Sequence, residues 1–139
     1  MHLVGNLSTE RILSLIRQEP LETVRGWAVE FLAEDQNVEM ETVSKFVALA
    51  RKEKSAFVRL KLASALQRMP MESRWQLAEA LLYHDEDADE HNIPKMIWFG
   101  IEPLVPLDPE RALQLAGQSK LPLVSEFIVR RVVDASAIS

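Results

Sequence analysis

Residues 24–32, Val24-Arg25-Gly26-Trp27-Ala28-Val29-Glu30-Phe31-Leu32, decide the fold because the chain writes their pattern twice. Thirty-four residues further on, Val58-Arg59-Leu60-Lys61-Leu62-Ala63-Ser64-Ala65-Leu66 repeats the Val-Arg opening with apolar residues at matching later positions. In both copies the apolar side chains recur three and four positions apart, the spacing of one face of an α-helix. Each copy reads as the second helix of a pair. A weaker third copy, Leu123-Val124-x-x-Phe127-Ile128, is displaced by an acidic insertion and an extra helix. Helix pairs that recur at a steady period and cannot bury their faces alone are the sequence form of an α-solenoid. The expected fold is therefore all-α, a short solenoid of about eight helices in antiparallel pairs, with a small closed bundle as the competing arrangement.

Outward from these two segments the same periodicity continues. Ser8 or Thr9 can cap a first helix that carries Ile12, Leu13, Leu15 and Ile16 and ends at Pro20. The 24–32 helix closes at Asp35-Gln36-Asn37. Glu41 to Lys52, Ser55 to Met69 and Glu72 to Tyr83 are the next three, the fourth stopped by Pro70. Apolar spacing resumes at Ile93, Ile97, Trp98, Ile101 and Leu104, and two last helices run from Pro109 to Ala116 and from Leu121 to Val133. Residues 1–8 read as an N-terminal extension, 9–133 as the repeat domain and 134–139 as a frayed end. The pattern predicts burial of Trp27, Leu32, Phe46, Leu62, Leu66, Leu77, Ile97 and Ile101. No convincing strand alternation interrupts it.

Composition limits what such a fold can do. At 139 residues the chain has the length of one domain that can fold alone. A net charge of -5 argues against general polyanion binding, while leaving room for a local basic face. With no cysteine there is no thiolate nucleophile, disulfide or iron–sulfur ligation within the sequence. It carries no signal-peptide pattern and no apolar run long enough to span a bilayer, so neither segment is encoded in these residues.

The stretch His84-Asp85-Glu86-Asp87-Ala88-Asp89-Glu90-His91-Asn92 concentrates acids and two of the three histidines. Its alternating Asp residues lack the glycine and the terminal bidentate Glu of a calcium loop. His84 and His91 with Asp87 or Asp89 could reach one transition metal, yet no supporting ligand motif accompanies them. The better reading is a solvated capping loop, in which Asp and Asn bond their own backbone and serve the helix that Pro94 opens. Nor does the chain hold a nucleophile elbow, a phosphate loop or a pair of acids facing across a cleft. Trp75, Trp98 and Tyr83 could line a pocket with His84, but the tryptophans lie on apolar stripes and read as core. The expectation is a non-catalytic chain without cofactor or metal.

The Val-Arg pattern in the second helices resembles HEAT repeats. Residues 57–82, from Phe57-Val58-Arg59 to Ala80-Leu81-Leu82, and then His84, Glu86-Asp87-Ala88-Asp89, Asn92-x-Pro94, Trp98-x-Gly100-x-Glu102-Pro103-Leu104 and Ser119-Lys120-x-Pro122-Leu123, within a likeness over roughly 24–133, are similar to a more specific group. That group is the HEAT-like region of the large putative membrane-bound dehydrogenases of planctomycetes and verrucomicrobia. There the repeats accompany a sugar-dehydrogenase-like propeller and a c-type cytochrome module, neither of which is in these residues. The resemblance implies a non-catalytic segment of a multidomain, extracytoplasmic or periplasmic redox protein, or an electron-transfer partner domain of one. It also implies that His84, Glu86, Asp87, Asp89 and Asn92 form an ordered acidic loop making specific polar contacts.

What remains is a surface for another protein. Arg25, Arg59, Lys61, Arg68, Arg130 and Arg131 fall on second helices, joined by Arg51, Lys52 and Lys54, and form a candidate basic docking ridge. An acidic partner or the chain's own acidic loop would suit it, while each Val-Arg arginine could instead serve a salt bridge inside the repeat. A neighbouring domain of the same polypeptide is the other candidate partner. A spacer that merely holds its neighbours apart is one alternative function. A nucleic-acid groove is another, and it would require the basic heads to converge without interleaved carboxylates. No membrane contact is expected, and the isolated segment is expected to be a monomer.

Overall fold

A computed structural model describes residues 9–34 and 40–138. Among them are eight α-helices and no strand: α1 (Thr9–Gln18), α2 (Glu22–Glu34), α3 (Met40–Lys52), α4 (Ala56–Ala65), α5 (Met71–Leu81), α6 (Ile93–Ile101), α7 (Pro109–Gln118) and α8 (Pro122–Ile138). The all-α class and the helix number agree with the sequence periodicity. None of the helices is long and apolar enough to cross a membrane.

The helix ends follow local chemistry. Ser55 caps α4, its Oγ accepting the Val58 N–H at 3.3 Å, and Asp108 caps α7 by accepting the Arg111 N–H at 3.1 Å. Pro109 follows at the first helical position, where its missing N–H costs no hydrogen bond. The fourth predicted helix divides: α4 ends at Ala65 and tightens into a 3-10 turn over Leu66–Arg68 before Pro70. The sixth likewise ends at Ile101 and passes into a 3-10 turn at Glu102–Leu104, which contains Pro103. Residues 134–138 continue α8 where a frayed end was expected. Residues 1–8 and the Asp35-Gln36-Asn37 stop lie outside the described residues.

The even-numbered helices contact one another in sequence, α2 against α4, α4 against α6 and α6 against α8. Behind them α1 meets α3 and α3 meets α5, while α1 packs on α2 and α7 on α8. The helices bearing the two Val-Arg segments are thus direct neighbours. Phe46, Leu62, Leu66, Leu77 and Ile97 are wholly buried between the two rows, with Leu32 and Ile101 almost so.

Trp27 is the exception among the residues expected inside. It is 52% exposed, and Phe31 on the same stripe is 49% exposed. The inward face of α2 is made instead by Gly26, Ala28, Val29, Leu32 and Ala33. Small residues let α4 approach closely: a Cβ at Gly26 would lie 2.5 Å from Phe57 Cε2. The larger Trp27 and Phe31 are left on the side where α2 has no helix packed against it among the described residues.

Gly100 makes the equivalent approach between α6 and the 3-10 turn that ends α4, and it does so against a less forgiving neighbour. A Cβ there would lie 2.5 Å from Leu66 Cβ, an atom fixed to its backbone. Gly100→Ala is therefore expected to push α6 from α4 and lower stability by about 1–3 kcal/mol, even after the better helix propensity of alanine. Gly117→Ala, where a Cβ meets nothing within 4 Å, serves as control and should be neutral or slightly stabilising in urea unfolding.

Candidate docking site and the arginine ladder

The turns after α1, α3 and α5 hold carboxylates at the same period as the arginines. Glu19, Glu53 and Asp87 are each 34 residues apart, and Arg25 and Arg59 follow the first two by six residues. Within its own turn the acid orders the chain: Glu19 Oε1 accepts the Leu21 N–H at 3.2 Å, and Glu53 Oε2 accepts the Ser55 N–H at 2.9 Å. Each arginine then joins its own turn to the next.

Arg25 donates NH1 to the carbonyls of Glu19 and Pro20, both at 3.0 Å, and grips Glu53 with Nε and NH2 at 3.0 and 2.8 Å. Arg59 repeats the arrangement one unit on. Its NH1 donates to the Glu53 carbonyl at 3.0 Å, while Nε and NH2 hold the two oxygens of Asp87, both at 2.7 Å. Planar two-point recognition of this kind is what a guanidinium offers a carboxylate. The second rung is the more buried, with side-chain exposures of 3% for Arg59 and 2% for Asp87 against 17% and 3% for Arg25 and Glu53. The hydrogen bond to Asp87 raises the Arg59 pKa above its ordinary value despite burial, and Glu53 does the same for Arg25.

The acidic loop is consequently not the solvated cap expected of it. Asp85–Asp87 form a 3-10 turn that delivers Asp87 into the interior. His84 is also buried, its Nε2 on the Ala50 carbonyl near the C-terminus of α3. A carbonyl can only accept, so Nε2 carries a proton. Its Nδ1 faces Glu86 Oε2 at 3.4 Å. The Glu86 carboxyl is held below its usual range first by its own backbone N–H, with Arg59 and His84 adding to the effect. Asp89 and His91 stay exposed. Both Asp87 oxygens and His84 Nε2 are engaged by protein partners, and no group of three or more His, Asp or Glu among the described residues is placed to share an ion. The cap of α6 is also reassigned. Asn92 makes no side-chain capping bond, and Glu90 Oε2 instead accepts the N–H groups of Asn92 and Ile93.

The basic ridge is largely neutralised from within. Arg59 is buried and cannot face a partner. Lys61 pairs with Glu30 at 2.6 Å, Arg131 with Glu102 at 3.1 Å, and Arg130 with Glu126 at 3.4 Å along its own helix. Arg68 alone of the six candidates is exposed without an ion pair among the described residues. Carboxylates are therefore interleaved with the basic heads, the arrangement that disfavours a duplex groove. The aromatic candidates are scattered in role: Trp75 is buried beneath the Arg111 guanidinium at 4.7 Å, Tyr83 is exposed beneath Lys120 at 4.0 Å, and half-buried Trp98 packs tilted against Phe127, ring centroids 5.5 Å apart.

Two features escaped the sequence reading. The acids at 19, 53 and 87 share the period of the arginines and could have been found by extending the same alignment backward and forward. Arg74 left no such signal. It is buried on α5 and donates to the carbonyls of Met69, Gly100 and Gln67 at 3.0, 2.9 and 3.1 Å, with burial lowering its pKa from the ordinary value. No family model, curated protein or solved structure matches the chain.

Proposed function

We propose that this chain is a non-catalytic helical-repeat scaffold that docks another protein or a neighbouring domain of its own polypeptide. The observation that carries the reading is the ladder. Arg25 and Arg59 tie successive turns at one period, Glu19 to Glu53 and Glu53 to Asp87, which stiffens a stack whose units contact mainly their neighbours. A stiff stack presents side chains to a partner at little ordering cost. Trp27 and Phe31 on α2 and Phe99 on α6 are large exposed apolar side chains suited to that use. The HEAT-like resemblance supports the same role and, through the dehydrogenase group, a place inside a multidomain redox protein.

A spacer is the second reading, and the ladder favours it in one respect: arginines bound within the stack are not offered to a partner. Photo-crosslinking separates the two. A benzophenone side chain at position 27 or 31, in the cells that make the protein, is expected to yield one discrete adduct whose purified component binds the segment in titration. Absence of any adduct at both positions and at position 99, with the variants folded, would leave the spacer.

A further inference from the structure

Most of the second-helix ridge is spent internally, but Lys52 and Lys54 at its edge, together with Arg17 and Lys45, are not. Between the C-terminal halves of α1 and α3 lies a cleft formed of two adjoining cavities of about 90 and 250 Å³, which share Ile16, Arg17, Leu49 and Lys52 as lining. Lys45 stands at one end and Lys54 at the other. Arg17, Lys52 and Lys54 are exposed and Lys45 half-buried, and none of the four has a carboxylate partner among the described residues. Two acids border the larger cavity. Glu53 is already held by Arg25, and Glu19 accepts the Leu21 N–H. Four cations without an ion pair among the described residues thus gather at one cleft, where with Arg25 they outnumber Glu19 and Glu53, on a chain whose net charge is -5.

We propose that this cleft binds a short acidic peptide segment of a partner protein, an inference that rests on the docking function and moves its charged contact from the second helices to the first. Charge complementarity supplies the attraction. Exposed Ala48 and the edges of the almost wholly buried Ile16 and Leu49 give a small apolar contact beside the carboxylates. A long polyanion fits less well, because Glu19 borders the larger cavity and beyond the cleft the chain is acidic overall.

Fluorescence anisotropy with labelled probes tests the assignment on the full chain. A short peptide of alternating Glu and Leu is expected to bind in low salt and weaken as salt is raised. Lys45→Glu with Lys52→Glu should reduce its affinity by about tenfold or more, whereas Arg68→Glu with Arg130→Glu, outside the cleft, should leave it nearly unchanged. If the reversal variant does not fold, Lys45→Gln with Lys52→Gln should still weaken binding in the same order. No binding by the wild type, or equal loss from the control pair, overturns the proposal. So does a single-stranded oligonucleotide that binds as tightly and with the same variant pattern, which would assign the cleft to nucleic acid. Salt-reversible self-association abolished by the cleft variant would assign it to a second copy, also against the proposal. The docking reading is judged separately with the crosslinked partner: a partner that binds the cleft variant as well as the wild type keeps that reading while removing the cleft from it.

Discussion

Asp87→Ala is expected to lower stability by about 3–5 kcal/mol, the usual penalty for leaving a buried charge without its partner. In thermal unfolding that corresponds to a fall of roughly 10 °C or more for a chain of this size. The substitution strips both 2.7 Å bonds from Arg59, which is 3% exposed and keeps only the Glu53 carbonyl at 3.0 Å. Glu86, with an oxygen 3.8 Å from Arg59 NH1, can swing closer and recover part of the loss. Adding Glu86→Gln should therefore deepen it. Arg59→Met alone should be comparably harmful, since it strands Asp87 in the same interior. The double replacement Arg59→Met with Asp87→Leu should recover much of the stability, because two apolar side chains escape the desolvation cost that the charges bear. Glu53→Ala makes the comparison: Arg25 retains two carbonyl acceptors and some solvent, so the loss, which includes the acceptor of the Ser55 N–H, should stay at about 2 kcal/mol. Urea unfolding of the set decides the matter. Asp87→Ala costing less than about 1 kcal/mol would mean that the buried rung contributes little to the stack.

Arg74→Met is expected to cost about 3 kcal/mol, in the range found when hydrogen bonds to a charged group are lost. Arg74 has no carboxylate partner among the described residues, yet it is 8% exposed and its guanidinium is charged at neutral pH. Its compensation comes from carbonyls. Gln67 and Met69 lie in and just after the 3-10 turn that ends α4, and Gly100 lies in the last turn of α6. Helix C-terminal ends carry partial negative charge and unsatisfied carbonyls, so one cation between two such ends serves both. Methionine fills similar space but leaves the carbonyls without donors. Lysine, with a single ammonium on a flexible stem, should restore only part of the difference. Arg111→Ala is the contrasting case: its pair with Glu72 is exposed, so loss of that pair and of the contact with Trp75 should cost under about 1 kcal/mol. A near-neutral Arg74→Met would show that water can replace the guanidinium at those helix ends.

The sequence by itself determined the all-helical class, the helix count and most of the core, because helical periodicity, caps and proline stops act over a few residues. Leu62, Leu77 and Ile97 needed only their spacing to be placed inside. It also held the 34-residue period, which relates Arg25 to Arg59 and Glu53 to Asp87. Whether an apolar stripe is covered depends on a neighbouring helix, however, and Trp27 and Phe31 face a side of α2 where none packs among the described residues. The same limit governed the charges. Nothing local to Val58-Arg59 reveals that a carboxylate 28 residues away will turn inward to meet it, so the arginine read as a contact for others and Asp87 as part of a solvated cap. Arg74 lay further from view, since its partners are backbone carbonyls that every residue possesses. Only the packing of α5 against α4 and α6 selects which of them a buried guanidinium can reach, and only the approach of α1 to α3 gathers Arg17, Lys45 and Lys52 at one cleft.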